Sequence, residues 1–478
     1  MDKGKILQPE SRLHALVEVP ALKYLGFSLL LAWRYCLWFV PQIFGVTHLL
    51  NDVVTLSWLI DLASSVIAFF LIPLILGRKR HLSDYRPVLP LASLAAGAAT
   101  GGLTLYAGNT GSPLSASVCA AVLGVSAAVL WLLWGERYAH TRANFSIKHI
   151  APVLGLVTLA ALALASFLPT PSGVIFVTAL PLISGGILFF TRRSAADEPF
   201  PPLLPKNTSR EALRNIIVVC LISFVTSAAC YFLVAIIPWE SLPGTIESFT
   251  YGVAAGAILI LGIAAISTLF VRTHAIFKLF PWLLILTVVS CALFLFEEDL
   301  ALVPFILSVA ISSVIEVLLV MYFGVLTLKG YVPPALAFGL SCGFIRLGII
   351  LGNALAIFYE RTPGLLDASP KPTVFLFICV LVALLIPLIR QEYGIAALTS
   401  VASSDLEVDQ VCTDVSEEFG LSERESEILR LIARGYTGTT IAERLFISPY
   451  TVNTHLQHIY EKMQIHKRTE LFKYLNTR

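Results

Sequence analysis

The sequence predicts an all-α chain in two unlike parts: a polytopic membrane bundle of about 12 transmembrane helices and a soluble four-helix unit at the C-terminal end. Three observations lead there. Of 478 residues, 57% are hydrophobic and 13% charged, with a mean hydropathy of +0.81, too apolar for a water-soluble chain of this length. Apolar runs of about 20 residues, each long enough to cross the hydrocarbon core, recur from residue 24 to residue 390. Beyond residue 421 the runs stop, and apolar residues recur at helical spacing between capping residues. The expected divisions are a lead over 1–23, a bundle over 24–390, a flexible acidic linker over 391–420 and the soluble unit over 421–478.

The lead is polar and is followed by a long apolar run without a small-residue cleavage site, so it reads as an uncleaved cytoplasmic segment. The spans lie near 24–46, 55–76, 88–107, 113–134, 150–169, 172–191, 215–238, 249–271, 279–297, 301–327, 334–358 and 373–389. Basic residues collect at the start (Lys3, Lys5, Arg12, Lys23) and in alternate loops (Arg78, Lys79, Arg80 and Arg86; Arg137, Arg142 and Lys148; Arg192, Arg193, Lys206, Arg210 and Arg214; Arg272 and Lys278; Lys329). The intervening loops hold almost none, Arg361 and Lys371 excepted, and include the acidic Glu297-Glu298-Asp299. By the positive-inside rule both termini are cytoplasmic, in a chain of the cell's inner membrane.

The longest basic loop, 192–214, divides the spans six and six, and the first span of each half closes on a proline, at Val40-Pro41 and Ile237-Pro238. This 6+6 plan resembles the major facilitator transporters, which bind substrate at the midplane between their halves. The departure is between spans two and three, where Gly77-Arg78-Lys79-Arg80 keeps the basic part of that family's Gly-Asp-Arg-Gly-Arg motif without its aspartate. The linker, 391–420, carries six acids beyond residue 404 (Asp405, Glu407, Asp409, Asp414, Glu417, Glu418) and no lysine or arginine. As coil it would reach roughly 30 Å. Two readings fit it: a solubilising spacer, or a stretch that competes with phosphate for a basic partner surface.

Four ionisable residues fall within spans: Arg34, Asp61, Glu316 and Arg346. At about 1.5 Å per residue, Arg34, Glu316 and Arg346 come out near the bilayer centre and Asp61 nearer the outer surface. Charges at that depth are costly unless paired or in a wet cavity, so Glu316 is expected to offset one arginine and leave the other free. Two readings stay open: a cavity for an anionic small molecule, lined by aromatics such as Trp33, Tyr35, Trp38 and Tyr322, and a structural ion network.

In the soluble unit Ser422 and Glu425 have capping-box spacing ahead of Ile428, Leu431 and Ile432. A short second helix turns Ile441, Ala442 and Leu445 inward, and Ser448-Pro449 caps and opens a third. Two short helices joined by a tight turn make a helix-turn-helix, whose second member enters the DNA major groove. With Val452, Leu456, Ile459 and Met463 inward, Asn453, Thr454 and Gln457, then Tyr460 and Glu461, face out. Asn453, Thr454 and Gln457 are the candidate base readers, biased toward A·T pairs because Asn and Gln pair with adenine and the Thr methyl suits thymine. Arg444, Thr451, His455, Lys467 and Arg468 are the candidate phosphate contacts.

The marks L-S-x-R-E at 421–425, A-x-G at 433–435, I-A-x-x-L at 441–445, I-S-x-x-T-V at 447–452, His455, I-x-x-K-M at 459–463 and Arg468 resemble the LuxR-type (FixJ/NarL, GerE-like) helix-turn-helix of bacterial transcription regulators. The chain departs at Tyr436–Thr440 and at Asn453, where the family carries lysines, which weakens phosphate attraction. The resemblance implies sequence-specific binding of double-stranded DNA as a homodimer paired through the last helix, about 467–476, with Leu471, Tyr474 and Leu475 available. Such output domains normally follow a receiver or a lactone-binding domain, for which this chain has no room, so the bundle would be the input. The expectation is a membrane-bound one-component regulator. A transporter with a regulatory tail, and a nonspecific chromosome tether, are the rivals. No nucleophile with its base, phosphate-cradling loop or metal-ligand cluster is legible, so neither enzyme nor cofactor is expected, and the eight cysteines have no metal or redox spacing.

Overall fold

The computed structural model describes residues 22–44, 52–77, 80–109, 112–141, 147–194, 200, 203, 210–237, 247–270, 279–296, 301–361, 369–399, 405–433, 436 and 438–476. Residues 1–21 of the lead, Arg78, Lys79, Gly435 and Thr437 lie outside them. Twelve long helices come first: α1 (Leu22–Phe39), α2 (Asp52–Leu76), α3 (Val88–Leu103), α4 (Pro113–His140), α5 (Ile147–Phe167), α6 (Thr170–Ser194), α7 (Arg210–Ile236), α8 (Glu247–Phe270), α9 (Leu279–Phe296), α10 (Leu302–Leu328), α11 (Pro334–Arg361) and α12 (Lys371–Thr399). Eleven of them are long and apolar enough to cross a membrane. The remaining one, α1, carries Lys23 and Arg34, ends at Phe39 and gives way to a short 3-10 turn at Pro41–Phe44.

The first six helices pack among themselves, as do the last six, and α2 with α11 and α5 with α8 join the two halves. Within lipid no hydrophobic effect draws helices together, so close backbone approach and buried polar contacts must hold them. α11 shows the first device. A Cβ on Gly339 would lie 2.5 Å from the Phe69 carbonyl oxygen of α2; on Gly348 and Gly352 it would lie 2.3 and 2.4 Å from the Phe224 and Ala228 carbonyl oxygens of α7. Four glycines in two four-residue steps (339 and 343, 348 and 352) thus let one helix touch both halves. Side-chain hydrogen bonds are the second device: Trp33 Nε1 donates to Thr100 (3.1 Å), Trp134 Nε1 to Ser184 (3.0 Å), and Ser184 to the Gly26 carbonyl (2.7 Å), tying α1 to α3, α4 and α6. On the loop after α2, Glu136 accepts the backbone N–H groups of Leu82 and Ser83, both at 2.7 Å.

Five further helices follow: α13 (Asp405–Glu418), α14 (Glu423–Ala433), α15 (Gly438–Leu445), α16 (Pro449–Lys462) and α17 (Arg468–Asn476). The acidic stretch expected to be coil therefore contains a helix. Val411, Cys412, Val415 and Phe419 form an apolar stripe at helical spacing, and Cys412 and Val415 are fully buried in the soluble unit's core beside Ile428, Leu429, Ile441, Val452 and Ile459. Burying that stripe against α14 stabilises helix in a sequence whose acidic composition disguises it.

Candidate nucleic-acid interface and membrane cavity

The capping box opens α14: the Ser422 N–H donates to Glu425 Oε2 at 2.8 Å and the Glu425 N–H to Ser422 Oγ at 3.3 Å. The same Oε2 accepts from Lys462 Nζ at 2.7 Å, so the end of α16 is pinned to the start of α14. Burial alone would raise the Glu425 pKa, but the Lys462 and Ser422 hydrogen bonds overcome it and hold the carboxyl at about 2. Ser448 caps α16 by accepting the Thr451 N–H at 3.0 Å, with Pro449 at the first turn. Between α15 and α16, Phe446 turns the chain with a φ of 53°.

These contacts fix which face of α16 is outward. Val452 and Ile459 are buried, Leu456 is half-buried, Asn453 and Gln457 are exposed and Thr454 is half-buried, its hydroxyl donating to the Tyr450 carbonyl at 3.1 Å. The three candidate base readers thus share one face, joined by Glu461, whereas Tyr460 packs partly against the core. Tyr450, which the spacing argument passed over, is 82% exposed on that face. Among the phosphate candidates Arg444 and Lys467 are exposed. Arg444 lies 3.9 Å over the Tyr436 ring, and Arg468 donates to the Tyr436 carbonyl at 2.6 Å, so Arg468 also holds the loop before α15. Thr451 is engaged by the Ser448 cap, and half-buried His455 lies beside Glu425. Leu471, expected to be available for pairing, is instead fully buried in the core, and Tyr474 packs on Phe419 at 5.5 Å between ring centroids. The fold also gathers Glu425, His455 and His458, a potential metal-ligand group that the sequence spacing did not reveal because the carboxylate comes from another helix.

In the bundle, Arg34, Glu316 and Arg346 line one cavity of about 60 Å³ between the halves, together with Tyr35, Trp38 and Tyr231. Its charges differ from expectation. Arg34 makes a two-point pair with Asp61, Nη1 to Oδ1 at 2.7 Å and Nη2 to Oδ2, and the Asp61 side chain is fully buried. Arg34 and Asp61 therefore share one depth, against the expectation that Asp61 lies nearer the outer surface than Arg34. α1 stops at Phe39 before Pro41, so Arg34 sits only five residues from that helix end and matches the depth of Asp61 on α2. Glu316 accepts from Tyr35 Oη at 2.7 Å and lies 3.8 Å from Arg346 Nη1. Each arginine has a carboxylate, and no uncompensated positive charge remains among the described cavity residues. Of the expected aromatics, Tyr35 and Trp38 line the cavity, while Trp33 donates to Thr100 outside its lining. Trp58 and Tyr231, not foreseen, join the lining with their rings tilted at 45° and centroids 5.8 Å apart. Four buried polar groups of the lining make no hydrogen bond: Arg34 Nε, Trp38 Nε1, Arg346 Nη1 and the Ser312 hydroxyl.

Residues 420–475 match the LuxR family of bacterial regulatory proteins, the GerE domain. Over 54 residues this region is 50% identical to the oxygen regulatory protein NreC of Staphylococcus carnosus (strain TM300) and to that of Staphylococcus haemolyticus (strain JCSC1435). Each alignment covers 11% of this chain and 25% of the relative, so the chain spans a quarter of the length of the curated relatives it matches. The bundle is similar to the POT family transporter PepTSo, with a TM-score of 0.50 and 10% identity over 79% of this chain and 97% of that one. The chain thus carries a LuxR-family DNA-binding helix-turn-helix domain behind a multi-pass membrane bundle with a transporter fold.

Proposed function

We propose that this protein is a membrane-bound one-component transcription regulator: a small molecule held in the bundle cavity governs sequence-specific binding of double-stranded DNA by the C-terminal domain. The observation that carries the reading is one chain in which an outward polar face of α16 (Asn453, Thr454, Gln457) follows a cavity rimmed by unused donors. A buried donor without a partner costs about 1–3 kcal/mol, so an occupant bearing acceptor atoms, such as a carboxylate, is favoured. Its attraction comes from Arg34 Nε, Trp38 Nε1 and Arg346 Nη1, since the full charges of the site are already paired. Ligand binding between the halves changes how α2 meets α11 and α5 meets α8, and the domain behind α12 responds.

The alternation of basic loops supports cytoplasmic termini, and in this reading the bundle lies in the inner membrane. Two copies pair on DNA through α17, using the part of that helix not buried in its own core, and confinement to a membrane raises the effective concentration for that pairing. The test is chromosomal occupancy of the full-length protein at base-pair resolution beside an Asn453→Ala/Gln457→Ala variant. Discrete sites that vanish in the variant are expected; their absence in the wild-type under several growth conditions refutes the regulator.

The transporter fold favours a second reading, a carrier with a regulatory tail. It requires net substrate uptake by the full-length protein in sealed vesicles. A cavity that binds ligand without turnover refutes that reading.

A further inference from the structure

We propose that Glu425, His455 and His458 form a binding site for a divalent transition-metal ion of the zinc class on the flank of the recognition helix. His455 and His458 stand three residues apart on α16, so they share one face. Glu425 approaches from α14, with His458 Nδ1 at 3.7 Å from its Oε1. One ligand atom from each of the three lies within 4.8 Å of the others. Ligands of a tetrahedral zinc ion at 2.0–2.1 Å are about 3.4 Å apart. The shortfall is small, and His458, whose side chain is 52% exposed, has room to turn.

The two oxygens of Glu425 are used differently. Oε2 is taken by Lys462 and the Ser422 N–H, which fix the plane of the carboxylate and keep it ionised. Oε1 is left facing the histidines. A carboxylate held by outer hydrogen bonds with one oxygen directed at two imidazoles is the arrangement that orients metal ligands. Two nitrogens and one oxygen suit zinc, copper or nickel over calcium or magnesium. Three protein ligands leave a fourth position for water on the exposed side. The ion would cross-link α14 to α16 and would take as a ligand His455, itself a candidate phosphate contact.

The test uses tag-free full-length protein in detergent, stripped with a chelator and titrated with Zn²⁺ against a chromophoric zinc indicator. His458→Ala should weaken affinity by about tenfold or more, as should His455→Ala, while His466→Ala, an exposed histidine outside the group, should change nothing. Zinc should slow amide exchange in peptides from α14 and α16 of the wild-type. Failure of the wild-type to bind zinc overturns the proposal. So does binding indifferent to His458→Ala, or binding reduced equally by His466→Ala. Zinc binding without slower exchange in α14 and α16 overturns it too, because the ion then bridges nothing.

Discussion

Replacing Asp61 by asparagine would leave Arg34 as a buried guanidinium without its counterion. The pair is enclosed, with side-chain exposures of 8% for Arg34 and 0% for Asp61. Breaking a pair so buried by removing one partner costs about 3–5 kcal/mol, whereas removing both charges is close to neutral. The twelve long helices run from Leu22 to Thr399, and unfolding entropy near 2 cal/mol/K per residue then makes 3–5 kcal/mol a drop of roughly 4–6 °C in Tm. Arg34→Gln alone strands Asp61 and should cost a similar amount. The double variant Arg34→Gln/Asp61→Asn should recover most of the loss, leaving a drop of about 1–2 °C. Intrinsic tryptophan fluorescence during a thermal ramp in detergent is the assay, since Trp33, Trp38, Trp58 and Trp131 all belong to the bundle core or pack on it. Single losses that simply add in the double variant would refute the pairing. An unchanged Tm for Asp61→Asn would mean that Arg34 balances its charge elsewhere, with Glu316 of the same cavity as the candidate.

Three further outcomes are expected. Gly352→Val places a side chain where a Cβ already meets the Ala228 carbonyl oxygen at 2.4 Å and the Phe232 nitrogen at 2.7 Å; it should destabilise the α7–α11 seam by about 1–3 kcal/mol or more and lower the monodisperse yield on size exclusion, while Gly262→Val, with nothing within 4 Å, should not. Arg346→Gln should abolish the transcriptional response to ligand, read with a reporter, and leave operator binding of the purified protein intact. Because the Glu425 pKa is depressed in the folded state, to about 2 from 4.5, its stabilising contribution is complete above pH 4.5 and is lost as pH falls through that interval. With Lys462 at 38% exposed screening the pair, the share is about 1–2 kcal/mol. Amide protection in α14, corrected for intrinsic exchange, should therefore fall between those pH values, and Glu425→Gln should show the lower protection already at pH 7.

How far the sequence could be read depended on the range of each interaction. Ser422 with Glu425 and Ser448 with Thr451 are three residues apart, so local spacing alone discloses the caps that the structure contains. The outward face of α16 follows from the same periodicity. The arginine pairing did not follow, because depth was counted along apolar runs, and the run past Phe39 is longer than the helix. A proline two residues beyond Phe39 was the available signal. Leu471 was assigned to an outer surface because one helix alone does not tell which of its apolar residues the domain itself consumes. The trio at Glu425 is legible only once α14 and α16 are packed, since no spacing along the chain links residue 425 to residues 455 and 458.

The length of α12 sets a boundary on the genome. Apolar crossing ends at Ile389, but the helix continues to Thr399, and α13, which belongs to the DNA-binding unit, begins at Asp405. Ten residues of helix rise about 15 Å, and six further chain steps add at most about 20 Å. On the regulator reading proposed above, a reader on so short a lead meets its operator only where the operator comes to the bilayer. Promoters it serves would be those whose position, transcription or coupling to membrane insertion brings them repeatedly to the cell periphery. Moving a target gene to a locus held in the nucleoid interior should then silence the response without altering a base of its operator.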